Sequence, residues 1–347
     1  MSELAVILGL SGPKLTAAER VFFRDANPWG FILFSRNVES PDQLRRLTSD
    51  LRETVGRNCL IFVDQEGGRV QRLRAPYWRK YPSGAVFQYL YAKEERLGIR
   101  AAYLSYRLIA DDLRQVGITA DCAPVLDLPQ KNADPIISDR AFGAKIAPII
   151  DVAHAAMAGL MCGGVAPVVK HIPGHGRAMV DSHKMLPRIK ASRQTLEKTD
   201  FIPFRELSDA PMAMTAHAVY ECNSRSAVTV SKKSMTELVR AAIGFNGLVM
   251  SDDLDMKALK GGLTRKTERA LAAGCDIALQ CSGKLPAMVN VAKGAKALEG
   301  RAKNRAIVAE NCADHITAFD RDAAEHEFNN LLDQVPELKP TAERLAG

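Results

Sequence analysis

The 347-residue sequence lacks the features that most quickly assign a chain to a class. Its seven cysteines, at positions 59, 122, 162, 222, 275, 281 and 312, form no CxxC pair, and several lie inside apolar runs. Cysteine in such settings behaves as a small hydrophobe, which argues against a zinc ribbon, a redox pair and a disulfide scaffold, and fits a reducing cytoplasm. The apolar stretch within MSELAVILGLSGPKLT covers only about seven residues, too few to span a bilayer, and has no basic start or small-residue cleavage site. It reads as a first buried strand, and no membrane association is expected. Lysine and arginine exceed aspartate and glutamate by only seven, and the cations are interspersed with acids, as in QLRRLTSDLRETVGR. Without a basic block interleaved with aromatics, no nucleic-acid partner is expected. No GxGxxG follows the first apolar run, which counts against an open dinucleotide-binding sheet.

What the chain does have is apolar substance and rhythm. With 47% apolar and 25% charged residues it can bury a large core without staples. Eight short apolar runs recur, at 5–10, 31–34, 60–64, 118–128, 166–171, 212–217, 247–253 and 276–281. Between them lie segments with helical spacing, such as AAYLSYRLIADDLRQVG and IIDVAHAAMAGLMCGG, closed by Gly117 and Gly163. Continuous apolar strands alternating with amphipathic helices imply a parallel sheet covered by helices, and eight units imply a closed α/β barrel of the (β/α)8 type. The expected organisation is one catalytic barrel over 1–335 and a peripheral polar tail over 336–347.

In such barrels the chemistry sits at the carboxyl ends of the strands. The third run ends at Asp64, the fourth at Asp127, the fifth at Lys170 and His171, the sixth at His217 and the seventh at Asp252 and Asp253. Adjacent strand residues point opposite ways, so one of Asp252 and Asp253 should face the axis while the other caps the next helix. The segment 65–92, rich in arginine, tyrosine, glycine and proline, suits either a substrate-facing loop or a cap packed by its own aromatics.

The densest group of ionisable residues is VVKHIPGHGRAMVDSHKMLP, residues 168–187. It leaves the fifth strand through a loop shaped by Pro173, Gly174 and Gly176. Asp181, two residues before His183, can hold the imidazole in one tautomer and raise its basicity, as a proton-transfer group requires. His171, His175, Asp181, His183 and His217 could alternatively ligate a metal, or serve as hydrogen-bonded loop residues.

The motifs KHIPGHG and DSH, with DQEGGRVQR, GFILFSRN, DRAFG, MTAH and SDDLDM, together resemble glycoside hydrolase family 3, in particular its single-domain bacterial β-N-acetylglucosaminidases of peptidoglycan recycling. The matches run in order from about residue 30 to residue 256, most of the chain. The resemblance implies a retaining double displacement with Asp252 as nucleophile, His183 as acid/base and Asp181 tuning it. It also implies sugar contacts from Asp64, Arg72, Arg140, Lys170 and His171. It implies no metal and no cofactor, and gives His175 and His217 no role. Ile172 stands where the family more often has Phe, and Ala141 where Ser is more usual; neither change removes a reacting group. The expected substrates are muropeptide fragments, GlcNAc linked to 1,6-anhydro-MurNAc, with GlcNAc as product of a cytoplasmic monomer. A phosphorylase on the same fold and a non-catalytic sugar-binding barrel are the rival readings.

Overall fold

The computed structural model describes residues 2–131 and 134–336. Eight parallel strands close into a barrel: β1 (Leu4–Gly9), β2 (Pro28–Leu33), β3 (Leu60–Val63), β4 (Ala120–Asp121), β5 (Ala166–Ile172), β6 (Met212–Thr215), β7 (Leu248–Asp253) and β8 (Ile277–Gln280). Each pairs with its sequence neighbours, and β1 meets β8 through Val6↔Ala278, Ile7↔Leu279 and Leu8↔Gln280. All residues of β2 and β5 are buried, as expected when side chains fill the barrel on one face and meet helices on the other. The expected (β/α)8 architecture is therefore the observed one, and all eight expected runs carry a strand.

Local signals explain the helices. Helix Pro41–Val55 begins with Ser40 accepting from the Gln43 N–H and Pro41 in the first turn, and ends at Gly56 in the left-handed region. Its buried Leu44, Leu47, Thr48 and Leu51 form one stripe. The two segments singled out for helical spacing form Glu95–Arg114 and Ile146–Cys162, and Gly159 lets them touch: a Cβ there would lie 2.6 Å from the Tyr103 carbonyl oxygen.

Two expectations need correction. The fourth strand is two residues long instead of eleven, because Pro124 has no N–H to give the ladder; beyond it the chain still runs beside β5, with the Leu126 N–H donating to the Lys170 carbonyl at 2.7 Å. Neither Asp252 nor Asp253 caps a helix, since the next one, Leu263–Ala273, starts after Gly262. The C-terminal segment holds two helices, Gly300–Asn311 and Arg321–Leu332, the latter seated on Glu95–Arg114 by Arg321, which pairs with Asp111 and Asp112. The tail foreseen over 336–347 falls, apart from Pro336, outside the described residues. No described helix is long and apolar enough to cross a membrane.

Candidate active site

The carboxyl ends of β3, β4 and β5 carry a buried network of charge. Lys170, its side chain 3% exposed, donates to Asp64 Oδ1 at 2.9 Å and contacts Glu66 Oε1 at 2.7 Å. Arg72 donates to Asp64 Oδ2 at 3.0 Å, and Arg140 grips Glu66 with two bonds of 2.8 Å. Burial alone would raise both carboxyls; the adjacent Lys170 and Arg72 hold Asp64 far below the usual range, and Arg140 and Lys170 hold Glu66 down at about 2. The segment 65–92 thus divides: Arg72 reaches the site, while Trp78 and Tyr81 are buried and Tyr81 donates to Asp112 at 2.7 Å. Arg69 turns away to Asp139.

His171 follows Lys170 directly, yet both side chains meet buried carboxylates. The β5–β6 register shifts between Lys170 and Ile172, so strict alternation is broken there. Asp127 accepts from the backbone N–H groups of His171 (3.2 Å) and His175 (2.6 Å), and its Oδ2 lies 2.7 Å from His171 Nδ1. Burial opposes its ionisation, but His171 and these bonds lower Asp127 to about 2, so Nδ1 of His171 is the donor. Beneath the network Asp121 is fully buried. Its Oδ1 accepts from the Gln65 N–H at 2.9 Å, and burial with neighbouring Asp64 and Glu66 pushes it up to about 8.

Asp252, at the end of β7, accepts from the Asp253 N–H at 2.7 Å. Burial would raise its pKa, but His217, His171 and His183 are close enough to pull it below the ordinary value. Asp253 points toward β8, accepting from the Asp255 and Cys281 N–H groups at 3.1 Å, and burial with the nearby Asp255 and Asp252 raises it to about 6. The two adjacent carboxyls are thereby separated: one ionised near histidines, the other spent on a turn.

The loop after β5 begins tied down. A Cβ on Gly176 would lie 1.9 Å from the Leu128 carbonyl oxygen, Tyr220 donates to the Gly174 carbonyl, and Arg177 pairs with Asp200 at 2.7 Å. It ends exposed. Asp181 Oδ1 receives the His183 N–H at 2.9 Å and lies 2.8 Å from His183 Nδ1. Burial works against Asp181, but the bonds from His183 lower its pKa, so it is ionised, Nδ1–H donates, and Nε2 is free for proton transfer. His183 is 63% exposed. The histidines considered as metal ligands are spread over separate partners, and among the described residues no three His, Cys, Asp or Glu form a group that could hold a metal.

Of the eight site residues expected from sequence, Asp64, Lys170, His171 and Asp252 lie at strand ends, Asp181 and His183 on the loop beyond β5, Arg72 on the segment after β3 and Arg140 on a short turn after β4. Glu66 was missed, although it stands two residues after Asp64, the same-face spacing for chain leaving a strand. Asp127 is read only as the end of the fourth run, Asp121 is not read at all, and no short motif marks either.

Against known proteins, the sequence profile described as glycosyl hydrolase family 3 N terminal domain matches residues 3–315. The chain belongs to glycoside hydrolase family 3. The β-hexosaminidase of Alkalilimnicola ehrlichii is 38% identical over 281 residues, 80% of each chain, and that of Nitrosomonas eutropha 35% over the same shares. Among solved structures, NagZ from Neisseria gonorrhoeae in complex with N-trifluoroacetyl-D-glucosamine superposes with a TM-score of 0.85 at 29% identity, over 96% of this chain and 99% of that one. This family 3 member is a glycosidase of the β-N-acetylhexosaminidase class.

Proposed function

We propose that the enzyme is an exo-acting, retaining β-N-acetylglucosaminidase that removes GlcNAc from peptidoglycan fragments carrying 1,6-anhydro-MurNAc. The observation that carries this reading is a half-buried, ionised Asp252 at the end of β7, within electrostatic reach of the His183 imidazole that Asp181 holds. An oxocarbenium-like transition state needs negative charge beneath the ring and a proton at the leaving oxygen. In the first step an Asp252 oxygen forms a bond to the anomeric carbon while the bond to the aglycone oxygen breaks, and His183 Nε2 gives that oxygen its proton. In the second, Nε2 takes a proton from water, the water oxygen attacks the anomeric carbon, and Asp252 leaves as carboxylate. Neither step calls for a metal. Asp64, Arg72, Arg140, Lys170 and His171 would bind the ring hydroxyls, with His171 Nε2 available because Nδ1 is spent on Asp127.

The acetamido sugar is favoured by the β-hexosaminidase relatives and by the N-acylated glucosamine held in the gonococcal NagZ. On the same reading the enzyme acts as a cytoplasmic monomer.

The test is hydrolysis of 4-nitrophenyl N-acetyl-β-glucosaminide beside the plain β-glucoside, with a chelator present and the first-formed product followed by NMR. Cleavage of the acetamido sugar to the β-anomer is expected. First appearance of the α-anomer would overturn retention, and a sugar 1-phosphate formed on adding phosphate would move the enzyme to the phosphorylases.

A further inference from the structure

His217, at the end of β6, is completely buried and has both ring nitrogens engaged. Nε2 lies 3.1 Å from the backbone carbonyl oxygen of Asp253, which can only accept, so Nε2 carries hydrogen. Nδ1 lies 2.7 Å from Thr229 Oγ1, and that hydroxyl lies 2.8 Å from Thr215 Oγ1. Burial pushes the imidazole toward its neutral form. A neutral ring with hydrogen on Nε2 must accept at Nδ1, so Thr229 donates to His217 at 2.7 Å in preference to the Ala216 carbonyl at 3.4 Å, and Thr215 donates to Thr229. The three groups run in one sense, from Thr215 to the Asp253 carbonyl.

The residue held at the end of this chain is the one that holds Asp252. The Asp253 N–H donates to Asp252 Oδ1 at 2.7 Å, the one hydrogen bond this carboxylate receives among the described residues. The N–H and C=O of a single residue are linked by two soft torsions, so fixing the carbonyl limits where the N–H can point. The ring is also near enough to influence Asp252 electrostatically.

We propose that His217, kept in its Nε2–H form by Thr229, is a positioning residue that aims the Asp252 carboxylate through the backbone of Asp253. The inference rests on the assignment of Asp252 as nucleophile.

Two substitutions separate the ring nitrogens. Glutamine places its amide nitrogen near the position of Nε2 and can still donate to the Asp253 carbonyl; asparagine reaches only as far as Nδ1, keeping Thr229 and losing Asp253. The rate of covalent trapping by a 5-fluoro-N-acetylglucosaminyl fluoride reads the attack of the nucleophile alone, and competition by N-acetylglucosamine reads ground-state binding. His217→Asn is expected to trap about a hundredfold more slowly, the scale of a nucleophile misplaced by an ångström, with the GlcNAc inhibition constant little changed, and His217→Gln is expected to keep most of the rate. Thr229→Val should slow trapping and Thr229→Ser should restore most of the loss; this pair decides the matter if His217→Asn does not fold. Trapping at the wild-type rate in both His217→Asn and Thr229→Val, or losses matched by equal losses of GlcNAc binding, would overturn the clamp. Asp252→Ala separates the two assignments: a label appearing on another residue in that variant ends the nucleophile assignment, whereas an Asp252 label in the wild type with unchanged rates in the clamp variants ends only the role of His217.

Discussion

The charged floor at the ends of β3 and β5 and the loop carrying His183 adjoin each other in the chain, yet they are built in opposite ways. In the floor, Lys170 and Glu66 are 3% and 4% exposed, and each cation has a carboxylate partner at 3.0 Å or less. On the loop, His183 is 63% exposed and its ring is oriented by a single carboxylate. Groups that must grip a neutral sugar in a fixed pose gain from being set before it arrives, because a buried ion network with several anchors resists displacement. On the proposed mechanism His183 exchanges a proton twice in each turnover, which calls for a tuned ring within reach of both the leaving oxygen and water. The contrast predicts that damage to the loop is read in the chemical step and damage to the floor in folding and binding.

The largest expected effect falls on the loop. His183→Ala should slow glycosylation of a natural disaccharide by about 10²–10⁴-fold, the usual contribution of a positioned acid, and slow an aryl glycoside far less because that leaving group needs little protonation. Single-turnover rates on both substrates check this. Equal losses on the two would mean that the loop is not the proton carrier, and the contrast would lose one side. Stability should hardly move, within about 0.5 kcal/mol for an exposed side chain.

In the floor the order reverses. Glu66→Ala leaves Lys170 without one partner and Arg140 without its two-bond anchor, and stranding buried charge costs about 3–5 kcal/mol. Urea denaturation should show that loss, and KM for the aryl glycoside should rise more steeply than kcat falls. A variant as stable as the wild type would show that the floor is less preorganised than its geometry states.

Those two regions were not equally legible in the sequence. The strands could be read because buried parallel strands are continuous apolar runs, and the dyad because Asp181 and His183 are two residues apart, within reach of each other whatever the loop does. Lys170 and Asp64 are 106 residues apart, and only closure of the barrel places one beside the other. The same holds for Asp127 with His171 and for Glu66 with Arg140, where pattern gives the residue types and tertiary structure the pairing. The overlong fourth strand has a local cause that could have been read: Pro124 within an apolar run demotes it. His217 was left without a role because its partners, Thr229 and the Asp253 carbonyl, lie 12 and 36 residues away and one of them is backbone, which no side-chain motif records.

The smallest expected effect concerns the group on which the floor rests. Asp64 and Asp121 lie in the same buried cluster, and their pKa values move in opposite directions: Lys170 and Arg72 hold Asp64 down against its burial, whereas burial raises Asp121 from 3.8 to about 8. Asp64 therefore adds stability at neutral pH that is lost on acidification. For Asp121 the sign reverses. The unfolded chain releases its proton near the ordinary aspartate value while the folded protein keeps it, so between roughly pH 4 and pH 8 the unfolded state binds fewer protons and stability falls as pH rises. Asp121→Asn keeps the oxygen that accepts from Gln65 but cannot ionise. Its melting temperature relative to the wild type should therefore climb between about pH 5 and pH 8. A constant difference across that range would mean that Asp121 is ionised in the folded protein, leaving Lys170 among three carboxylates and the floor without net positive charge.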